Sequence, residues 1–319
     1  MAKQCPRPPA RVGPWVPGSN VKAGFVSFVG RPNAGKSSLL NRIVGAKLAI
    51  VSNKPQTTRR RILGVKNYDT GQVVFVDTPG IHRPLHRMNV RMVDTAVETL
   101  TEVDVVGLVV DVSESAGAGL RFLLNLVKDT QAKVVLILNK VDLIKKHKML
   151  PIIDELSKER DWEAIVPVSA TTGDNVAHLE EVLLNALPDG QALYPEDYLT
   201  DQPERDMAAE MVREQVLRQT RDELPFSTAV LIDQFEEPSD EDPRIRIYAT
   251  ILVERESQKP IVIGRGGDMI KTIGTAARKE MADFFQTKVF LDLRVAVREE
   301  WREDTRMLDR LGVKGPNSD

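Results

Sequence analysis

The chain of 319 residues is long enough for two domains of ordinary size, and its formal net charge is −2. Hydrophobic residues make up 42% and charged residues 28%, a balance typical of globular proteins, and no apolar run reaches the roughly 18 residues of a membrane-spanning helix. The single cysteine, Cys5, excludes an intramolecular disulfide and a metal site built from several cysteines. We therefore expect a reducing, cytoplasmic setting.

The first half of the chain has the pattern of an α/β domain. Residues 1–20, rich in proline, glycine and arginine, lack the apolar core of a secretory signal and are predicted to form a disordered arm. Segments with helical periodicity then alternate with strand candidates at 25–30, 72–80, 103–112, 133–142 and 164–170. Most candidates are apolar throughout, as expected for strands covered on both faces. The pattern predicts a doubly wound, mostly parallel sheet over residues 21–187.

The second half has a different composition. Residues 188–205, rich in proline and acidic side chains, are predicted to be a linker. The order helix, strand, strand, helix, helix, strand then predicts a smaller α+β domain over residues 206–300, with 301–319 as a closing tail. Residues 191–319 carry eight more acidic than basic side chains, whereas residues 1–190 carry six more basic than acidic. This distribution argues against a strongly basic second domain.

The segment from Gly30 to Ser37, GRPNAGKS, matches G-x-x-x-x-G-K-[ST] between a predicted strand and a predicted helix, the context in which this motif binds phosphates. In such a loop Lys36 reaches the β- and γ-phosphates and the Ser37 hydroxyl binds Mg²⁺. The predicted phosphate-binding residues are Gly30, Asn33, Ala34, Gly35, Lys36, Ser37 and Ser38.

A second motif, Asn139-Lys140-Val141-Asp142, follows another apolar strand and indicates the base. A carboxylate at Asp142 can accept hydrogen bonds from the N1–H and N2–H₂ groups of guanine, a donor pair that adenine lacks. The stem of Lys140 can lie over the base plane. Ser169-Ala170, after the next strand, can present a backbone N–H to guanine O6. Asn139, Lys140, Asp142, Ser169 and Ala170 are therefore predicted to bind the base.

Two further segments suit the γ-phosphate end of the site. Asp77-Thr78-Pro79-Gly80 ends a strand, so Asp77 can hold Mg²⁺ through water and the Gly80 N–H can meet the γ-phosphate. The polar segment PQTTR, residues 55–59, can close over Mg²⁺ through a threonine, with Thr58 preferred to Thr57. The predicted metal-binding residues are Ser37, Thr58 and Asp77, and the predicted catalytic residues are Lys36, Thr58, Gly80 and Asn33.

These elements, GRPNAGKSSLLN, PQTTRRRILG, VDTPGIH, NKVD and VSATTGDNV, resemble the G-domain motifs of the Era family of ribosome-assembly GTPases, over residues 22–313. The resemblance implies GTP and GDP as ligands, Mg²⁺ as cofactor, GTP hydrolysis, and contact with the 30S subunit and with 16S rRNA near its 3′ end. Ile81 stands where Ras-like enzymes have a water-orienting glutamine, and an aliphatic side chain cannot orient water. Relatives with asparagine at the position of Asn33 use a monovalent cation, so K⁺ near Asn33 is a hypothesis.

A second glycine-rich segment, Gly264-Arg265-Gly266-Gly267, lacks both the P-loop spacing and the G-x-G-x-x-G pattern. It fits the G-x-x-G loop between two helices of a KH domain, which clamps about four nucleotides. The alternative is that the glycines merely end a strand and that Ile261, Ile263, Ile270 and Ile273 belong to the core. The predicted RNA-binding residues are Ile263, Gly264, Arg265, Gly266, Gly267 and Lys271.

The favoured function is a GTP-hydrolysing switch whose KH domain binds 16S rRNA in 30S assembly, with the loops at 45–62 and 80–95 changing on hydrolysis. One alternative is an RNA chaperone or adaptor that holds guanine nucleotide as a structural ligand. Another is a GTPase at the membrane surface that uses the basic N-terminal arm. We expect a cytoplasmic monomer, with peripheral contact to the membrane left open.

Overall fold

The computed structural model describes residues 21–52, 54, 57–81, 86–114, 117–220 and 224–313. The predicted arm at 1–20 and Pro55 and Gln56 of the PQTTR segment lie outside the described residues.

The first domain is a sheet with helices on both faces. Its strands are β1 (Val21–Gly30), β2 (Ile62–Tyr68), β3 (Gly71–Asp77), β4 (Val105–Asp111), β5 (Lys133–Asn139), β6 (Ala164–Val168) and β7 (Asp189–Gly190). Its helices are α1 (Lys36–Val44), α2 (Arg87–Glu102), α3 (Ala118–Lys128), α4 (Met149–Ser157) and α5 (Val176–Ala186).

The sheet has the order β2-β3-β1-β4-β5-β6, and β3, β1, β4, β5 and β6 run parallel. Side chains of the central strands are almost entirely buried, because helices cover both faces. The carboxyl ends of β1, β3, β5 and β6 therefore lie along one edge, where open α/β sheets bind ligands. This arrangement confirms the predicted doubly wound, mostly parallel fold.

Two strands were missed by the sequence analysis. β2 pairs antiparallel with β3, from Ile62 opposite Asp77 to Tyr68 opposite Gly71. Its second half is polar and only partly buried, so it lacks the apolar run that identified the other strands. β7 lies inside the predicted linker and pairs antiparallel with the start of β1.

The second domain has a three-stranded sheet with helices packed on one face. Its elements are α6 (Glu204–Gln219), β8 (Ala229–Glu236), β9 (Ile245–Val253), α7 (Lys259–Ile263), α8 (Asp268–Phe285) and β10 (Val289–Val297). The sheet order is β10-β9-β8, with β9 parallel to β10 and antiparallel to β8. The predicted order of helices and strands is confirmed.

The glycine-rich segment of this domain lies between α7 and α8, so the alternative in which it ends a strand is wrong. The isoleucines near it are not a shared core. Ile273 is fully buried on α8, whereas Ile261 on α7 is 54% exposed. The α7 helix is only five residues long and amphipathicity is hard to detect over one turn, which explains why the residue pattern did not separate them.

The two domains contact each other through an apolar cluster that includes the predicted tail. Met88 and Met92 on α2 pack with Trp301, Met307 and Leu308, and the last two lie on the short helix α9 (Thr305–Arg310). The Trp301 side chain is fully buried. In the described part of the chain, no helix is both long and apolar enough to cross a membrane.

Candidate functional site

A cavity of about 380 Å³ lies at the carboxyl edge of the first sheet, where the predicted motifs meet. Of the predicted site residues, Asn33, Gly35, Lys36, Ser37, Ser38, Thr58, Gly80 and Lys140 line it. Thr57 and Thr171 line it as well. The structure therefore brings together residues from the P-loop (residues 30–37), the segment that carries Thr57 and Thr58, the segment after β3 and the segment after β5.

The phosphate end of the cavity is made by the turn between β1 and α1. Gly35 has φ +94°, and a Cβ atom there would lie 2.2 Å from Nδ2 of Asn139, so only glycine fits. Helix α1 begins directly after it with no side-chain cap on its first N–H groups. Uncapped N–H groups and the positive end of the helix dipole together favour a phosphate group.

The Lys36 side chain is buried and lies against the P-loop backbone. Its Nζ donates to the carbonyl oxygens of Gly30 at 3.1 Å and Arg31 at 3.0 Å. Burial lowers the pKa of Lys36 to about 8, and the nearby Asp77 carboxylate only partly opposes this shift. A phosphate oxygen would supply the full negative partner that the amine lacks.

The three predicted Mg²⁺ ligands lie within hydrogen-bonding distance of one another. The hydroxyl oxygens of Ser37 and Thr58 are 2.8 Å apart, and they donate to Asp77 Oδ2 at 2.7 and 3.2 Å. In an octahedral Mg²⁺ site with bonds of about 2.1 Å, neighbouring ligand oxygens are about 3.0 Å apart. The spacing of the Ser37 and Thr58 hydroxyl oxygens is close to this value, and Asp77 lies beside them, where it could bind the ion through water.

Asp77 has a buried carboxylate oxygen that is suited to a cation. Its Oδ1 atom is buried and has no hydrogen-bond partner among the described residues. Burial raises the pKa of Asp77 even though Lys36, Ser37 and Thr58 pull it down. A divalent cation would satisfy the orphaned oxygen and stabilise the carboxylate. The residues present thus fit Mg²⁺.

The Asn139 side chain joins three motifs, a role that sequence reasoning did not find. Its Nδ2 donates to the Ala34 carbonyl at 2.8 Å, and its Oδ1 accepts from the Ala170 N–H at 3.0 Å. Asn139 is 1% exposed, so both bonds are shielded from water. Its side chain therefore links the P-loop to the segment after β6 through two hydrogen bonds.

The predicted contact of Ser169-Ala170 with guanine O6 is not preformed. The Ala170 N–H is engaged by Asn139, and the Ser169 N–H donates to the Asp174 carbonyl at 3.0 Å. Guanine O6 could bind only by sharing the Ala170 donor or by replacing its present partner. This residue pair keeps its role as a prediction.

Lys140 and Asp142, the residues predicted to bind the base, follow the end of β5. Lys140 has φ +68° and donates from Nζ to the Asp111 carboxylate at the end of β4. Burial would raise the pKa of Asp111, but hydrogen bonds from Lys140 and Ser113 hold it below its ordinary value. Asp142 follows as an exposed side chain in a 3₁₀ turn and is not among the residues that line the cavity.

The segment after β3 is shaped by close packing. A Cβ atom on Gly80 would lie 2.9 Å from the backbone of Pro32, so the P-loop approaches too closely for any other residue. Ile81 is 3% exposed and packs into the core of the first domain. Its side chain cannot reach the cavity, which strengthens the expectation that another group orients the attacking water.

The second glycine-rich loop has three glycines with positive φ between α7 and α8. Gly264 has φ +77°, and a Cβ atom there would lie 2.6 Å from the Met269 backbone nitrogen. Gly266 and Gly267 also have positive φ but face open space. Arg265 and Lys271 are exposed and Ile263 is half-buried. Ile261, which the alternative interpretation placed in the core, is exposed and adds an apolar surface beside the loop.

Comparison with known proteins agrees with these two sites. The family model described as a 50S ribosome-binding GTPase matches residues 25–140, and the model described as a KH domain matches residues 223–302. The chain is 49% identical to the GTPase Era of Geobacter metallireducens over 291 residues, covering 91% of this chain and 97% of the relative. The chain belongs to the Era family of GTPases. A second relative, from Syntrophus aciditrophicus, is 46% identical over 91% of this chain and 95% of its own length.

Solved structures of Era have the same architecture. A variant of Aquifex aeolicus Era bound to GDP and AlF₄⁻ is 39% identical, with a TM-score of 0.88 over 92% of this chain and 99% of the other. Era in complex with MgGDPNP and nucleotides 1506–1542 of 16S ribosomal RNA is 40% identical, with the same TM-score and coverage. The predicted family, fold and GTPase activity are confirmed. The roles of individual residues and the domain boundaries remain predictions.

Proposed function

We propose that this Era-family GTPase binds GTP with Mg²⁺ and uses hydrolysis to GDP to control how its KH domain holds 16S rRNA near the 3′ end during 30S subunit assembly. The proposal rests on two features of one chain. The first is a cavity lined by P-loop residues that suit a triphosphate, and the second is a G-x-x-G loop in which Gly266 and Gly267 face open space. The near full-length likeness to Era with MgGDPNP and 16S rRNA supports the same pair of ligands here.

We infer a task for each group of the nucleotide site, supported by where these groups lie. The P-loop N–H groups and Lys36 hold the β- and γ-phosphates and stabilise charge as the γ-phosphoryl group leaves. Ser37 and Thr58 would hold Mg²⁺, with Asp77 accepting from both hydroxyl groups, and Mg²⁺ would supply positive charge against the phosphates. The Gly80 N–H meets the γ-phosphate. Asp142 selects guanine.

No side chain has yet been assigned to orient the attacking water, because Ile81, which stands at that position of the motif, is buried in the core. Asn33 lines the cavity with φ +64°, on the P-loop side of the phosphates. We propose that K⁺ near Asn33 supplies positive charge there. GTP turnover should be several times faster in KCl than in NaCl at equal ionic strength, and should become equal in the two salts for Asn33→Ala. Equal rates for the unaltered protein would remove K⁺ from the mechanism.

The RNA clamp is tested by replacing both Gly266 and Gly267 with Asp, which adds negative charge and side chains at positive φ. RNA binding to a fragment from the 3′ end of 16S rRNA should weaken at least tenfold, with GTP affinity unchanged. The matched control places aspartates at Pro238 and Ser239, an exposed turn at the other end of β9. Retained RNA binding in the glycine variant would rule out this loop as the clamp.

Switching itself requires that nucleotide state change RNA affinity. RNA affinity is therefore measured with a non-hydrolysable GTP analogue and with GDP, each with Mg²⁺. Equal affinity in both states would leave an RNA-binding GTPase without a switch.

We further propose a cytoplasmic monomer. The expectation of peripheral membrane contact rests on the basic arm at residues 1–20, which lies outside the described residues. Flotation of the full chain with anionic liposomes, compared with a chain that begins at Val21, tests that contact. Equal flotation of the two would exclude the arm as an anchor.

A further inference from the structure

The loop that carries Thr58 is held on both sides by the KH domain. On one side, Arg213 of α6 donates from Nη2 to the Thr57 carbonyl oxygen. On the other side, Arg59 donates from Nη1 to the Thr228 carbonyl at 2.8 Å and from Nη2 to the Phe226 carbonyl at 3.4 Å. The residues before and after Thr58 are therefore both anchored across the domain interface.

The two arginines are buried inside this interface, unlike ordinary surface ion pairs. Arg213 is 2% exposed and Arg59 is 6% exposed. Burying a guanidinium group is costly unless hydrogen bonds and charges compensate it, so its position is restricted to places that supply such partners. The cluster therefore has a defined geometry.

The partners of the arginines come from the KH domain and its following segment. Glu210 accepts from both Nε and Nη2 of Arg213, and this pairing orients the guanidinium plane. The Arg59 guanidinium lies over the Trp301 ring, 5.5 Å from its centroid. The indole N–H of Trp301 in turn donates to the Ser227 carbonyl at 3.0 Å. Burial lowers the pKa of Arg59 to about 9, and repulsion from Arg213 adds to the shift.

The earlier part of the same loop is attached to helices α6 and α8 of the KH domain. Lys47 pairs with Glu214 on α6 and Glu280 on α8. The Val51 N–H donates to Glu214 Oε1 at 3.0 Å. Lys47, Val51 and Thr57 of the loop from residue 47 to residue 59 are therefore each bonded to a side chain of α6.

We propose that Arg59 and Arg213 are positioning residues through which the KH domain seats Thr58 beside Ser37 and Asp77, completing the Mg²⁺ and γ-phosphate end of the site. The inference rests on the proposed GTP and Mg²⁺ binding of that site. A nucleoside diphosphate lacks the γ-phosphate, so its affinity should depend little on the position of Thr58. By thermodynamic reciprocity, triphosphate binding in turn stabilises the docked position of the KH domain.

The test compares two ligands on the full chain, a fluorescent GDP and a fluorescent non-hydrolysable GTP analogue, both with Mg²⁺. The variant Arg213→Lys keeps the charge beside Glu210, but one amine cannot reproduce the forked contacts with Glu210 and Thr57. Arg59→Lys likewise keeps the charge and loses the paired contacts with Phe226 and Thr228. Each variant should bind the GTP analogue about tenfold more weakly, or about 1.4 kcal/mol, and GDP within twofold.

The control is Arg60→Gln, because Arg60 is the next residue and lies at the same interface, where it pairs with Asp206 at 2.6 Å. It should leave both affinities within twofold. A merely structural role of the arginines would weaken both ligands equally, and either that result or unchanged affinities in both variants would overturn the inference. Failure of the unaltered protein to bind the GTP analogue more tightly with Mg²⁺ than without it would instead contradict the proposed function.

Discussion

Replacing Asn139 with alanine is the sharpest test of how the nucleotide site is held together. The change removes the donor to the Ala34 carbonyl and the acceptor of the Ala170 N–H, at a site that is 1% exposed. Each buried polar group left without a partner costs about 1–3 kcal/mol, so we expect a loss of about 2–6 kcal/mol in the free energy of unfolding. The P-loop also loses its attachment to the segment after β6, so guanine nucleotide affinity should fall.

The loss is measured by equilibrium urea unfolding followed by circular dichroism, and affinity by titration with a fluorescent GDP. Asn67→Ala is the matched control, because the Asn67 side chain also makes two hydrogen bonds, to Glu196 and Gln72, each of 2.8 Å. Asn67 is only partly buried, so water can replace its contacts and we expect a loss of about 0.5–1.5 kcal/mol. If Asn139→Ala lowers the free energy of unfolding no more than this control does and binds GDP normally, the Asn139 side chain does not hold the nucleotide site together.

Two other changes probe the phosphate and base ends of the site. The pKa of Lys36 is lowered to about 8 in the free protein, and a bound phosphate favours the charged amine, so affinity should be full below pH 8 and fall as pH rises. By pH 9 about one tenth of the free amine is charged, which predicts a decrease of about tenfold in GTP affinity. A profile that stays flat from pH 7 to 9 would contradict the burial of this lysine. Asp142→Asn should shift preference from GTP toward xanthosine triphosphate in competition binding, and unchanged GTP affinity would exclude Asp142 from base selection.

Much of the nucleotide site was predictable because each of its motifs, except the segment that carries Thr58, follows one of the parallel strands of the sheet. Lys36, Asp77 and Asn139 are far apart in the sequence, yet the rule that strand ends share an edge places them together. The role of the Asn139 amide was not predictable, since its two partners belong to loops whose separation only the folded structure defines. Strand β2 was missed because its polar second half has no clear period.

The contacts between the domains were beyond the reach of sequence patterns for a different reason. Arg59 and Phe226 are separated by 167 residues, and no periodicity or spacing links two domains that each fold around their own core. Trp301 was assigned to a closing tail, although a tryptophan near the apolar pair Met307 and Leu308 was a signal of burial. What it packs against became clear only from the docked arrangement.

The interface combines two kinds of contact, an apolar cluster and the hydrogen bonds of two buried arginines. The cluster of Met88, Met92 and Trp301 is apolar and non-directional, and none of these residues lines the nucleotide cavity. The hydrogen bonds of Arg59 and Arg213 are directional. They join the KH domain to the two neighbours of Thr58, through the Arg59 side chain and the Thr57 carbonyl oxygen. A displacement of Thr58 breaks these polar contacts directly, whereas the apolar cluster can tolerate small shifts. If the arginines act as proposed, the γ-phosphate would influence the docking of the KH domain through them, and we expect the apolar cluster to keep the domains attached in both nucleotide states.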